Sequence, residues 1–243
     1  TEVGAPPFLA EERLLVQLSL AEPDEATVRS LRPRVDWAAF TKLAEHNATV
    51  PLVAANLDRL GLDHSYDIEP VRKANEARLR VAKELFARFA DKRIPVVILK
   101  GVLFAETLYK NPAYKKMNDL DILVRREDLD AVYDIYEEMQ LFSAAELLGK
   151  NPRSQEKYSH HAPPFFSRDL ACMIGTHWGL ITPLSSYELD YDAIWSRVQD
   201  VDFYGHPAKS MSPEDNLHHL CVHLPYYKCG VRELADIYNL VRQ

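Results

Sequence analysis

The chain has 243 residues, 47% of them apolar and 27% charged, the balance of an ordinary globular protein of one or two domains. That composition excludes a disordered chain, a collagen-like repeat and a small disulfide-stapled scaffold, and a chain this long needs no metal or bridge to hold a core. The net charge of −7, from 29 basic and 36 acidic residues, leaves no basic excess to grip phosphate backbones, so nucleic acid is not an expected partner.

In chain order, residues 1–12 lack a basic start followed by an apolar run, so no secretory leader is expected there. The first ninety residues read as helical. Trp37, Phe40, Leu43 and Ala44 fall at helical spacing, as do Val50, Val53, Ala54, Leu57 and Leu60, with Gly61 placed to end that helix. A longer stripe of Ala74, Ala77, Val81, Leu85 and Phe89 alternates with Arg72, Arg78, Arg80, Lys83 and Arg88, an amphipathic helix with a solvated basic face. The period changes at residues 94–99, where Val96-Val97-Ile98-Leu99 reads as a strand buried on both faces. This longest apolar stretch falls far short of the ~20 residues that span a bilayer.

Lys100-Gly101 ends the strand, and residues 102–109 resume helical spacing. A loop over residues 110–118 leads to Asp119-Leu120-Asp121-Ile122-Leu123-Val124, whose alternation of acidic and apolar residues fits a half-exposed strand. Residues 126–139 read as a helix with Leu129, Val132, Tyr133, Tyr136 and Met139 inward, and residues 142–157 as loop. Two strand candidates follow, near residues 158–166 and 169–178. Ser212-Pro213-Glu214-Asp215 opens a helix with a capping serine, a proline at its first position and acidic residues in its first turn. Leu217, Leu220, Cys221 and Leu224 form its expected buried stripe. Leu234, Ala235, Ile237, Tyr238 and Val241 mark a last helix that meets Gln243 without a stop signal, so a longer natural chain is expected. The three cysteines, Cys172, Cys221 and Cys229, include no CxxC pair, which fits a reducing, cytoplasmic setting.

Residues 99–124 carry the chemistry. Carboxylates at i and i+2 on a strand project from one face, roughly 6–7 Å apart. Like charges held that close repel, and a hard divalent cation such as magnesium, shared with substrate phosphates, is the usual relief. Upstream, Gly101 at the start of a helix allows close approach of a phosphate to unpaired N–H groups. Asp119 and Asp121 are thus the candidate metal ligands and catalytic acids, and Lys100 and Gly101 the candidate phosphate contacts. His219 and His223, four apart on a helix, and the pair His160-His161 have no evident third ligand.

The run Leu99-Lys100-Gly101, Leu108-Tyr109, Asn111-Pro112 and Asp119-Leu120-Asp121-Ile122-Leu123-Val124 resembles the bacterial family of uncharacterised nucleotidyltransferases, of the polymerase-beta-like nucleotidyltransferase superfamily. The resemblance continues through His177-Trp178, Ser212-Pro213-Glu214-Asp215, His219-Leu220-Cys221 and Leu234-Ala235-Asp236-Ile237, spanning about residue 95 to the C-terminus. It implies an α+β fold, a small mixed sheet of the nucleotidyltransferase type flanked by helical segments. The expected organisation is a helical segment over residues 1–92, an α/β core over 93–205 and a helical segment over 206–243. It further implies transfer of a nucleoside monophosphate from a nucleoside triphosphate, ATP foremost, to a hydroxyl on a small molecule or protein, with Asp119 and Asp121 holding magnesium. Lys116 falls near a position where the family carries a basic residue facing the triphosphate; Lys115 beside it is a second candidate. The family pattern places a third carboxylate two residues before the His-Trp pair, and here that residue is Gly175. His177 is then the candidate general base. The alternative is a nucleotide- or partner-binding module that keeps the fold without the reaction.

Overall fold

The computed structural model describes residues 9–224 and 230–242; the expected absence of a leader over residues 1–8, and Cys229 and Gln243, lie outside the described residues. Among the described residues two large apolar cores and a smaller third one are found. The first is helical: α1 (Ala10–Leu18), α2 (Glu25–Leu31), α3 (Trp37–His46) and α4 (Val50–Arg59) bury Leu14, Leu18, Val28, Leu31, Phe40, Val53 and Leu57 against one another. Asp24 and Asp36 cap α2 and α3 by accepting from N–H groups of the first turn. Gly61, at φ +63°, turns the chain out of α4, and the Leu62 N–H returns to the Leu57 carbonyl at 2.9 Å.

The second core lies between the long helix α5 (Glu69–Asp91) and a sheet. α5 buries Asn75, Leu79, Ala82, Leu85, Phe86 and Phe89. Leu85 and Phe89 match the expected stripe, but Ala74 is exposed and Ala77 and Val81 are only half-buried. The helix is rotated so that the larger Leu79 and Phe86 leave water, because burial is worth more per side chain the more apolar area it removes. Its basic face is answered by neighbouring acids, Arg72 by Glu69 and Glu76, Arg88 by Glu84 and Glu138, and Arg80 by Asp169.

Among the described residues, β1 (Val96–Ile98), β2 (Leu120–Val124), β3 (Phe142–Ser143), β4 (Phe165–Phe166), β5 (Met173–His177), β6 (Gln199–Phe203) and β7 (His206–Ser210) form one mixed sheet in the order β3-β4-β5-β2-β1-β7-β6. α6 (Lys100–Thr107) and α7 (Leu129–Glu138) follow β1 and β2, the short α8 (Ala144–Leu147) and α9 (Tyr191–Ser196) lie in connections, and α10 (Pro213–His223) and α11 (Val231–Val241) close the chain. The fold is therefore α+β, a mixed sheet flanked by helices at both ends of the chain. No helix among the described residues is long and apolar enough to cross a membrane.

Several details differ from the sequence expectations. The stretch 142–157 contains β3 and α8 rather than loop alone, and the β6–β7 hairpin and α9 had no strong sequence signal. Asp169 is not on a strand: it lies in a turn before β5, where Leu170 takes φ +57° and Ser167 Oγ and the Ala171 N–H both donate to its carboxylate. α7 buries Ile135 beside Leu129, Val132 and Tyr136, leaving Tyr133 and Met139 half-buried. On α10 the inward face is Asn216, His219 and Leu220; Cys221 is exposed, since one residue further along a helix turns ~100° away. The packing does not follow the expected boundaries at 92/93 and 205/206. α5 shares the core of the sheet, and β7 pairs with β1 inside it, so the second boundary cuts a hairpin.

Phe86 ties α5 to the hairpin through Phe203, 4.7 Å away between ring centroids. Phe86→Ala is expected to cost about 3–5 kcal/mol, read as a lower midpoint in urea unfolding at unchanged slope.

Candidate active site

β1 runs antiparallel to β2, with Ile98 opposite Ile122, and one residue beyond the strand the Leu99 N–H donates to the Asp121 carbonyl at 3.0 Å. That bond places the Lys100-Gly101 turn beside Asp121. Alternation then sorts the side chains: Ile98, Leu120, Ile122, Val124 and Ile174 enter the large core, while Val97, Leu99 and Leu123 face a smaller one with Ile194, Trp195 and Met211. Asp121 has the parity of Leu123. Asp119 sits just before β2 rather than within it, because pairing with β5 begins at Leu120, opposite Ile174.

β5 runs parallel to β2 and sets Gly175 beside Asp121 and His177 beside Leu123. Gly175 and His177 therefore flank Asp121 on its own face. His177 Nε2 lies 3.3 Å from Asp121 Oδ1, and because an ionised carboxylate only accepts, Nε2 carries the proton. A Cβ at position 175 would stand 2.2 Å from the same oxygen. Only glycine lets the Asp121 side chain lie across the neighbouring strand, so the position where the resemblance led us to expect a third carboxylate is closed off by Asp121 and His177.

Lys100, the first residue of α6, takes φ +42°, a conformation that costs a lysine on the order of 1 kcal/mol or more. Its ammonium donates to His223 Nε2 at 2.6 Å and lies 3.5 Å from Asp121 Oδ2. Burial lowers the Lys100 pKa, against the pull of Asp121 and Asp119. Burial would raise Asp121, but the hydrogen bond from the His177 imidazole and the nearby Lys100 charge outweigh it and hold this carboxyl well below its usual range. Asp119 goes the other way, raised by burial and then by the Asp121 charge. The two acids are therefore unequal: Asp121 is held ionised, and Asp119 carries the repulsion.

Three histidines near the site are kept neutral. Burial, then the Lys100 charge, pushes His223 down to about 3 and His219 well below its ordinary value, while burial and His161 push His160 down to about 4. The rings of His160 and His161 lie 6.0 and 5.4 Å from that of His177, because His161 bridges to His177 at the edge of β5. The sequence holds no spacing signal that joins them. His223 was visible as half of a helical pair with His219, but its partner, Lys100, is 123 residues away.

Asp121, Lys100, His177 and His223 line a cavity of about 350 Å³, within the range of small-ligand sites. Asp119, Asp121, His177, Lys100, Gly101 and Lys116, all singled out from the sequence, lie on its wall. Lys116 is exposed. A Cβ on Gly101 would touch only Lys115 Cε, at 3.9 Å, so no packing against the protein demands glycine there. Lys115 does not reach outward as a phosphate contact would: it is buried in an ion pair with Asp236 of α11, its Nζ 2.6 and 2.8 Å from the carboxylate oxygens. The Tyr109 hydroxyl also donates to Asp236 at 2.7 Å, and Asn75 Nδ2 holds the Pro112 and Lys115 carbonyls. Arg232, on the same wall, pairs with Glu233. Among the described residues no group of three or more His, Cys, Asp or Glu is placed to hold a metal ion.

A family model described as uncharacterised nucleotidyltransferase matches residues 33–243, reaching further toward the N-terminus than the motif-bearing stretch. No curated protein matches the sequence. Among solved structures, that of ANT(2″)-Ia in complex with adenylyl-2″-tobramycin is 10% identical, with a TM-score of 0.46 over 68% of this chain and 87% of that one. A structure from Thermotoga maritima, described as that of a nucleotidyltransferase, is 18% identical, with a TM-score of 0.43 over 61% of this chain and 84% of its own.

Two tests follow from the site's charges. Asp236→Asn strands a buried ammonium and should lower stability by about 3–5 kcal/mol, whereas Lys115→Met with Asp236→Leu should recover much of that loss in urea unfolding. Because the folded pKa values of His160, His219 and His223 lie below the unfolded value, their contribution is intact above about pH 6.5. The unfolded state binds more protons below that pH, so thermal stability should fall as pH drops from about 6.5 toward 4. Replacing His160 by Gln should flatten that slope.

Proposed function

The chain belongs to the uncharacterised nucleotidyltransferase family, and from that membership we propose that it moves a nucleoside monophosphate from a nucleoside triphosphate, ATP foremost, to a hydroxyl acceptor on a small molecule or protein. The reading is that of the polymerase-beta-like superfamily. The observation that carries it is the Leu99–Asp121 backbone bond, which sets the Lys100-Gly101 turn against the acidic pair in one cavity.

The donor set fits magnesium. This cation keeps several waters and takes the rest of its shell from one or two carboxylates and substrate phosphates, so the pair Asp119 and Asp121 suffices. Asp119 is raised by burial first and then by the Asp121 charge, and a bound cation would offset both. Bound there, magnesium would neutralise charge on the phosphate oxygens and orient them. Gly101 presents bare backbone to the triphosphate, and Lys100 and Lys116 supply positive charge. In the transfer, the acceptor oxygen bonds to the α-phosphorus, the bond to the β-phosphate breaks, and pyrophosphate leaves. His177 holds its Nε2 proton on Asp121, so its lone pair is at Nδ1, and there it takes the acceptor's proton. Positioning and charge neutralisation carry the rate; the protein forms no covalent bond.

Gly175 favours a second reading, a module that binds the nucleotide without transferring it, since no third carboxylate can occupy that position beside Asp121. Thermal-shift measurements with the four nucleoside triphosphates and magnesium test binding, where a ligand at 100 times its Kd stabilises by about 2.7 kcal/mol. Asp119→Asn and Asp121→Asn should abolish that shift; a shift that survives both rejects the proposal. Pyrophosphate release separates the two readings. For a transferase, His177→Gln should lower kcat by about 10²–10⁴-fold with nucleotide binding retained.

A further inference from the structure

Asp121 is engaged at both oxygens. His177 Nε2 lies 3.3 Å from Oδ1 and the Lys100 ammonium 3.5 Å from Oδ2, in a pocket where the Lys100 side chain is 19% exposed and that of Asp121 15%. The second contact is held in place from two directions. His223, at the last turn of α10, accepts from the same ammonium at 2.6 Å, and the left-handed backbone of Lys100 starts α6 directly beneath the Leu99–Asp121 bond. A lysine held in a sparsely populated conformation at such a point signals a constraint that its surroundings enforce.

We propose that Lys100 is a place-holding cation: its ammonium occupies the Oδ2 side of Asp121 until a triphosphate draws it away, so that a divalent ion binds together with the nucleotide and not ahead of it. The inference rests on the transferase reading and adds an order of binding to it. A divalent ion cannot approach Asp121 Oδ2 while an ammonium stands 3.5 Å from that atom, since the two cations repel at close range in a partly desolvated site. The triphosphate supplies what the ion alone lacks. It brings several negative charges to the wall that also carries Lys116 and Arg232, and it gives the ammonium a partner to exchange for Asp121. The four-carbon stem of lysine lets the head group make that exchange without moving α6. Metal and nucleotide are then coupled, each raising the affinity for the other by the same factor.

The test titrates manganese(II) alone, then ATP with and without it, into the full chain, following the ion by electron paramagnetic resonance and the nucleotide by calorimetry. In Lys100→Met, manganese alone should bind about tenfold or more tightly than in the unaltered protein, while manganese–ATP binds more weakly, so that the coupling collapses. Lys100→Gln gives the same readout if the apolar side chain disturbs folding. Lys100→Arg, which keeps the charge, should leave manganese alone as weak as in the unaltered protein. His223→Gln, which loosens the ammonium without removing it, should shift manganese affinity in the same direction as Lys100→Met and by less. If Lys100→Met and Lys100→Gln bind manganese alone no more tightly than the unaltered protein, the place-holding role is overturned. If Asp121→Asn leaves manganese–ATP affinity intact, the transferase reading falls instead, which separates the two failures.

Discussion

A single backbone hydrogen bond, from the Leu99 N–H to the Asp121 carbonyl, decides where everything else in the site can be. β1 is only three residues long, and its pairing with β2 ends where that bond is made. The chain must leave the sheet at Lys100, and it does so beside the carboxylate that β2 presents on the same face. Shifting β2 by one residue would send Asp121 into the large core and take Ile122 out of it to the opposite face, which the packing of Leu120, Ile122 and Val124 in that core forbids. The apolar alternation of the strand is thus what aims the acid.

The parallel pairing of β2 with β5 supplies the second half of the geometry. It lines up Gly175 and His177 along the flank of Asp121, and the absence of a Cβ at 175 is what gives that carboxylate room. An acidic side chain there would meet Asp121 head on. The imidazole two residues later meets the same carboxylate, with Nε2 3.3 Å from Oδ1.

Charge balance in the cavity follows the rule that a buried charge requires a partner. Lys115 is answered by Asp236, Arg232 by Glu233, and Lys100 by Asp121 and His223. The pairs differ in consequence. Lys115–Asp236, with Tyr109, fastens α11 to the loop ahead of β2 and so builds the wall of the cavity. Lys100–Asp121 is longer, at 3.5 Å, and lies within the cavity itself, where a ligand can compete for it. Neighbouring lysines 115 and 116 show how little adjacency in sequence says about role: one is buried cement and the other an exposed rim charge.

Local signals carried a good part of the molecule. The helical spacing of α3 and α4, the serine cap of α10 and the β-branched run of β1 each follow from interactions within a few residues, and these appear as read; β2, expected half-exposed, is instead buried on both faces because Leu123 packs into the smaller core. The DxD spacing and the Lys-Gly turn likewise marked the cavity wall, because a strand's parity is set by its own sequence. The rotation of α5 toward Leu79 and Phe86, the burial of Lys115, and the placing of His160 and His161 beside His177 and of His223 beside Lys100 could be settled only by the tertiary structure. Each depends on which distant surface the residue meets: α5 turns its larger side chains to the hairpin, and Lys115 finds Asp236 121 positions away. Sequence alone states which side chains could be buried or charged together, whereas the packing of one element on another decides which of them are.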